Sequence, residues 1–291
     1  MVVKIKDYEN KEITEWMWAS DNKLIPKPFF TSSFFVDGLL IDCGAPACVD
    51  EFERFISPLI KKYNIKCIIT HSHEDHCGAA YLLQNSYDIP IYAHKKAIPL
   101  LEEEGTYPQY RQMVWGEKRL PVDAKEVPDS IISNSEAYKF NIISTPGHAP
   151  DQFTLIEKEQ EWAFVADAVQ PKYRMLFGKA SDIQEDIAEI YNSIKTIYEY
   201  TEGMNNLKIF TSGRGIFNGR EYLQNKLSEI ESLHLKVHKV YKELSGKYQK
   251  DTRLMKNVLR KTLGRESAVG KLSRGDLSKM NLVKSLLQWP L

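Results

Sequence analysis

Three of the chain's seven histidines fall within six residues, in His71-Ser72-His73-Glu74-Asp75-His76. Imidazole is the commonest ligand for transition metals, and imidazoles mixed with carboxylates suit zinc, iron or manganese. The run follows Ile65–Thr70, a short apolar, β-branched stretch that reads as a buried strand. The histidines therefore lie on a turn at a sheet edge. Neighbouring side chains can converge there in a way that a regular helix or strand forbids. The competing reading, a polar loop that happens to be rich in histidine, does not account for four ordered donors at 71, 73, 75 and 76.

The elements around this turn alternate between strand and helix. Phe29–Thr31 and Phe34–Val36 read as strands on either side of Ser32-Ser33, and Asp37-Gly38 is a hairpin turn leading into Leu39–Ile41 and then Asp42-Cys43-Gly44. Val49, Phe52, Phe55, Ile56, Leu59, Ile60 and Tyr63 recur at helical spacing, with Pro58 expected to kink or break that helix. A helix over 79–84 and a strand over 89–93 follow. From Leu101 to Pro128 periodicity fades, as in a surface excursion of the kind used for lids and substrate loops. Its Tyr107, Tyr110 and Trp115 either line a pocket or hold the loop down.

Strands at 140–144, 153–157, 162–165 and 207–211 carry Thr145-Pro146-Gly147-His148, Asp167 and Ser212-Gly213-Arg214-Gly215 at or near their ends. Ile183, Ile187, Ile190, Tyr191, Ile194 and Tyr198 define a helix, and the chain beyond about Gly219 reads as helical. Such interleaving indicates an α/β class.

Together these motifs resemble the metallo-β-lactamase-fold superfamily of hydrolases, in the family's order and over roughly residues 30–215. The resemblance implies a four-layer αββα sandwich, two stacked sheets between outer helices, with the metal site on one edge. It implies that His71, His73 and His148 hold a first ion, that Asp75 and His76 serve a second, and that Asp167 bridges both. Zinc is the expected cofactor, one or two ions, with iron or manganese as further options. Three neutral imidazoles leave a divalent ion most of its charge and an open position for water. Asp42 is either a turn residue or the carboxylate that receives a ligating histidine's other N–H.

One departure stands out. The family commonly places another histidine where this chain has Arg214. A guanidinium stays protonated and has no lone pair to give. The second site is thus weakened. Arg214 either replaces the missing ion's charge by pairing with Asp75, or forks onto a carboxylate or phosphate of the substrate; a third possibility is that it merely caps a loop. His94, His234 and His238 are candidate substitute ligands, though each also reads as an ordinary half-buried histidine. Lys172, Tyr173 and Arg174 follow Asp167 closely, and thioesterase members of the family use basic and tyrosyl residues there for the anionic part of the substrate. A solvated loop fits them equally.

The leading expectation is a hydrolase in which a metal-bound hydroxide attacks an ester, thioester or related bond of an anionic small molecule. Asp75 orients or deprotonates the water, and Arg214 aids binding or catalysis. The alternative is a persulfide-dioxygenase-like oxidoreductase, with one iron on His71, His148 and Asp167. A nuclease is a minor option because none of its additional motifs is present, and a non-catalytic member is disfavoured by the six retained ligand positions.

Composition narrows the field further. With 43% hydrophobic and 11% aromatic residues in 291, the chain is not disordered. No apolar run has the ~18–20 residues needed to cross a bilayer, so no membrane is expected. The opening Met1–Asp7 turns charged at once, unlike a secretory leader. Four cysteines in so long a chain suggest free, buried thiols and a reducing, cytoplasmic compartment. Zero formal net charge gives no case for nucleic acid, but it conceals an asymmetry: residues 221–291 carry 15 Lys+Arg against 7 Asp+Glu. The expected division is therefore an acidic metal-binding domain over 1–220 and a basic helical extension or cap over 221–291.

Overall fold

A computed structural model describes residues 1–21, 29–178, 185–248 and 250–291. Its first sheet runs in chain order through β1 (Val2–Tyr8), β2 (Ile13–Ala19), β3 (Thr31–Val36), β4 (Leu39–Ile41), β5 (Lys66–Ile69), β6 (Ile91–Ala93) and β7 (Ala124–Glu126). The second holds β8 (Ser130–Ile132), β9 (Lys139–Ser144), β10 (Phe153–Glu157), β11 (Trp162–Ala166), β13 (Lys208–Thr211) and β14 (Gly215–Asn218), in the order 14-13-11-10-9-8. A two-stranded ribbon joins β12 (Leu176–Phe177) to β15 (Leu277–Ser278).

Adjacent side chains of β3 explain the layering. Phe34 points into the apolar layer shared with Phe153, Phe164 and Phe210 of the second sheet. Phe35 points the other way, into the cluster that packs α1 (Val49–Ile60) and α3 (Ala80–Tyr87). The second sheet's far face packs α6 (Ile187–Tyr200), α7 (Arg220–Leu244), α8 (Asp251–Thr262) and α10 (Lys279–Gln288). The result is an αββα sandwich, and a strand buried on both faces loses its polar alternation. The remaining helices are short: α2 (Glu74–Cys77), α4 (Ile98–Leu101), α5 (Gln109–Trp115) and α9 (Ala268–Leu272).

Several local features differ from the sequence reading. β3 is one strand through Ser32-Ser33, because the buried Ser32 hydroxyl donates to Glu15 and accepts from the Gly213 amide. Pro58 falls in the last turn of α1, where the helix is already ending. The supposed surface excursion contains α5, whose Arg111 and Trp115 are buried. β1 and β2 form a hairpin ahead of the first strand read from sequence. Ile183 lies outside the described residues. Asp37 and Gly38 both have positive φ (41° and 81°), as the tight turn between β3 and β4 requires.

Candidate metal centre

The ends of several strands meet on one edge of the sandwich. His71 and His73 follow β5, Asp75 and His76 ride on α2, His148 sits in the β9–β10 turn and Asp167 ends β11. A register shift between Phe164 and Ala166, with Ala166 at φ 44°, marks the bulge immediately before Asp167. Six candidate ligands separated by up to 96 positions thus share one place.

Two overlapping donor sets result. His71 Nε2 and His148 Nε2 lie 3.1 and 3.0 Å from His73 Nδ1. Nitrogens 2.0–2.1 Å from a tetrahedral zinc would stand about 3.3 Å apart, so the three rings are spaced to grip one ion. Donor atoms of His71, His76 and Asp167 also fall within 4.8 Å of one another. Asp167 Oδ2 is 3.4 Å from His148 Nε2 and 3.7 Å from His76 Nε2, placing it between the two sets. Asp75 Oδ2 is 3.6 Å from His76 Nε2, a buried nitrogen with no hydrogen-bond partner. An unpartnered lone-pair donor facing two carboxylates is what a cation site requires, and the donor set fits a divalent ion.

The rear nitrogens explain how the rings are aimed. His76 Nδ1 is 2.7 Å from Asp42 Oδ2, and Asp42 also accepts from the Thr70 amide and hydroxyl. His148 Nδ1 is 2.5 Å from Glu185 Oε1. His71 Nδ1 is 3.2 Å from Thr70 Oγ1. Such partners fix the tautomer and turn the opposite nitrogen toward the ion. The Asp151 carboxylate receives the Ser72 amide at 2.7 Å, pinning the turn between His71 and His73.

Electrostatics follow from burial and neighbours. Burial first, then the adjacent imidazoles, push His71 well below the ordinary histidine range. Burial and then Arg111 do the same to His73. Both rings are therefore neutral, which is the ligating form. Burial works against the charged form of His76 too, but Asp42 and Asp75 outweigh it and raise that histidine. Asp167 stays well below the usual carboxylate range despite burial, through His76, His148 and Arg214.

Above the donors lies a cavity of about 470 Å³, walled in part by Phe29, Arg111, Trp115, Lys172, Arg174 and Arg214. Arg214 forms no ion pair with Asp75 among the described residues; its guanidinium lies 3.9 Å from the centre of the Phe29 ring. Its turn is fixed by the Gly213 amide donating to Ser32 and by Gly213 at φ 62°, where a β-carbon would strike the Phe30 carbonyl oxygen. Tyr173 does not line the cavity. It is buried, and its hydroxyl bridges Ala168 O and the Gln170 amide, bracing the loop that presents Lys172 and Arg174.

Of the other sequence candidates, Trp115 lines the cavity and Tyr107 donates to Gly116 O. His234 and His238 instead meet the carbonyls at the end of α10. His94 accepts from the Lys96 amide. Glu185, Glu74 and Arg111 went unnoticed in the sequence. Glu185 lies 37 positions from His148, and no local spacing links the two.

The Metallo-beta-lactamase superfamily model matches residues 26–199. The chain belongs to that superfamily. It is 27% identical over 165 residues to hydroxyacylglutathione hydrolase GloC of Haemophilus influenzae, spanning 54% of this chain and 71% of that protein. It is 28% identical over 149 residues to the probable metallo-hydrolase YflN of Bacillus subtilis, 45% of this chain and 55% of that one. Among solved structures, a metallo-beta-lactamase from Pontibacter korlensis aligns with a TM-score of 0.61 at 14% identity, covering 79% of this chain and 99% of its own. The enzyme FIM-1 from Pseudomonas aeruginosa aligns at 0.58 with 17% identity, covering 80% and 96%. These structural likenesses establish the fold.

Proposed function

We propose that this superfamily member is a zinc-dependent hydrolase that cleaves an ester or thioester bond in an anionic small molecule. The observation that carries the reading is the convergence of His71, His73 and His148 at 3.0–3.1 Å, beside Asp167, on a cavity rich in cationic side chains. When bound there, a divalent ion supplies activation of water and polarisation of the scissile oxygen.

The chain's own residues do the rest. Asp42, Thr70 and Glu185 hold the ligating rings, so the site is ordered before substrate arrives. Asp75, at the cavity wall and beside His76, orients the attacking water and takes its proton. Arg214, Lys172 and Arg174 attract the substrate's negative charge, and Arg214, which forms no ion pair among the described residues, offers its guanidinium fork to an anion. The cavity is of a size that encloses a small molecule. The GloC relative, by name a hydrolase of a thioester, favours that bond type. The four free, buried cysteines support a reducing, cytoplasmic setting, and no described helix is long and apolar enough to cross a membrane.

The test is metal analysis of the purified chain, followed by a panel of neutral and anionic esters and thioesters. Bound zinc with faster turnover of the anionic members is expected. A zinc-loaded chain that leaves the whole panel intact refutes the hydrolase reading.

A further inference from the structure

We propose that Arg111 anchors a substrate subsite for a carboxylate or phosphate group, on the cavity wall formed by α5. The assignment rests on reading this cavity as the substrate site. Arg111 is only 4% exposed, yet its side chain lines the cavity. Its Nε and Nη2 are committed to the two oxygens of Glu74 at 2.6 and 2.7 Å. That leaves Nη1 without a protein partner among the described residues. A guanidinium held rigidly on a cavity wall with a spare donor presents that donor to an acceptor of the occupant, and a charge-assisted hydrogen bond there is among the stronger ones.

The geometry favours a preformed site over a flexible one. Glu74 holds the guanidinium edge, and the Phe177 ring lies 4.9 Å from its carbon. Both jaws are tied to the C-terminal extension. Phe177 pairs with Leu277 across the β12–β15 ribbon, and Tyr110, next to Arg111 on α5, donates to Asp276 at 2.8 Å. Lys172, Arg174 and Arg214 add positive charge to the same cavity. They attract anions broadly, whereas Arg111 fixes one oxygen in place. Substrates of this chain accordingly carry an anionic group at the end that lies against α5.

Glu74 neutralises part of the charge that Arg111 presents, which gives the proposal a signature that a purely structural pair would lack. Malonate and inorganic phosphate serve as probes, titrated calorimetrically into the full-length chain as purified and after chelator treatment. Metal content is measured on the same samples. E74Q is expected to bind the probes at least as tightly as the wild type, since the counter-charge is gone. The double variant R111Q/E74Q, which avoids stranding a buried charge, is expected to bind about tenfold more weakly. Preference for malonate assigns a carboxylate, and preference for phosphate a phosphoryl group. Unchanged affinity in the double variant overturns the subsite, as does a loss in E74Q equal to that in the double. Probe binding that survives chelation and is still lost in the double variant assigns the contact to Arg111 and not to an ion, whereas a chain purified without metal that binds the probes counts against the metal-dependent function and leaves the subsite standing.

Discussion

The carboxylate of Glu185 holds the rear nitrogen of His148 at 2.5 Å while its other oxygen receives the Phe177 amide at 2.6 Å. One buried acid therefore aims a candidate ligand and also ties down the strand that forms the cavity wall. Replacing it with glutamine weakens the acceptor for His148 without emptying the space. Metal affinity of Glu185→Gln is expected to fall by about 10–100-fold, as measured by competition with a chromogenic chelator. Wild-type affinity in this variant would show that the His148 ring is held by packing alone.

Arg214 faces the side where His76, Asp75 and Asp167 gather, with a protonated group in place of a donor. Arg214→His adds a lone pair there and removes a positive charge. The variant is expected to retain more metal per chain than the wild type, and to lose preference for anionic over neutral substrates. Elemental analysis after exhaustive dialysis reads the first effect. Unchanged stoichiometry would mean that the residue 214 side chain does not reach the second donor set.

Much of this site was legible in the sequence because its parts are local. The turn after β5 brings His71, His73, Asp75 and His76 together through short-range geometry, and His148 and Asp167 stand at strand ends that apolar runs make visible. The partners behind them are a different matter. Asp42 reads equally as a turn residue from its position, and in the fold its backbone is left-handed, at φ 61°, while its carboxylate meets His76. Glu185 and Arg111 act across 37 positions in each case, on His148 and on Glu74, and no periodicity encodes such a pairing. α5 was missed because its seven residues give too few turns for an apolar stripe to register. The β12–β15 ribbon has two residues per strand and joins positions about a hundred apart, which only the folded chain reveals.

Removal of the ion should be visible in stability as well as in activity. Binding to the folded state alone stabilises by about 4 kcal/mol at a thousandfold excess over Kd. Chelation is expected to lower the melting temperature by about ten degrees, with recovery on adding zinc. Protons compete for the same nitrogens. His76 and His148, raised by neighbouring carboxylates, take them up first, and His71 and His73, held well below the histidine range, take them up last. Metal content and this extra stability should therefore fall together and progressively as pH drops. A melting curve indifferent to chelator at neutral pH would argue that no ion contributes to the fold.

The basic C-terminal segment shares its apolar core with the second sheet. Leu223, Ile230, Val237, Val258, Leu282 and Leu286 lie in one cluster with Ile156, Val165 and Ile209. Burying each such side chain contributes about 1.5–3 kcal/mol, so together they approach or exceed the whole stability of about 5–15 kcal/mol typical of a domain. A chain ending at residue 220 is therefore expected to lose cooperative melting and to bind a hydrophobic dye, whereas Leu282→Ala in the full chain should cost about 2–5 kcal/mol and leave the fold intact. The charge asymmetry gives the same segment a second role. Its net charge of +8 lies in helices joined to the cavity wall through Leu277 and Asp276, so neutralising exposed lysines on α7 and α8 should slow association of anionic substrate at low salt. Stopped-flow binding at two ionic strengths separates the roles. A truncated 1–220 chain that melts cooperatively would make the segment an appendage, and charge variants with unaltered association rates would make its basic face a solvated surface alone.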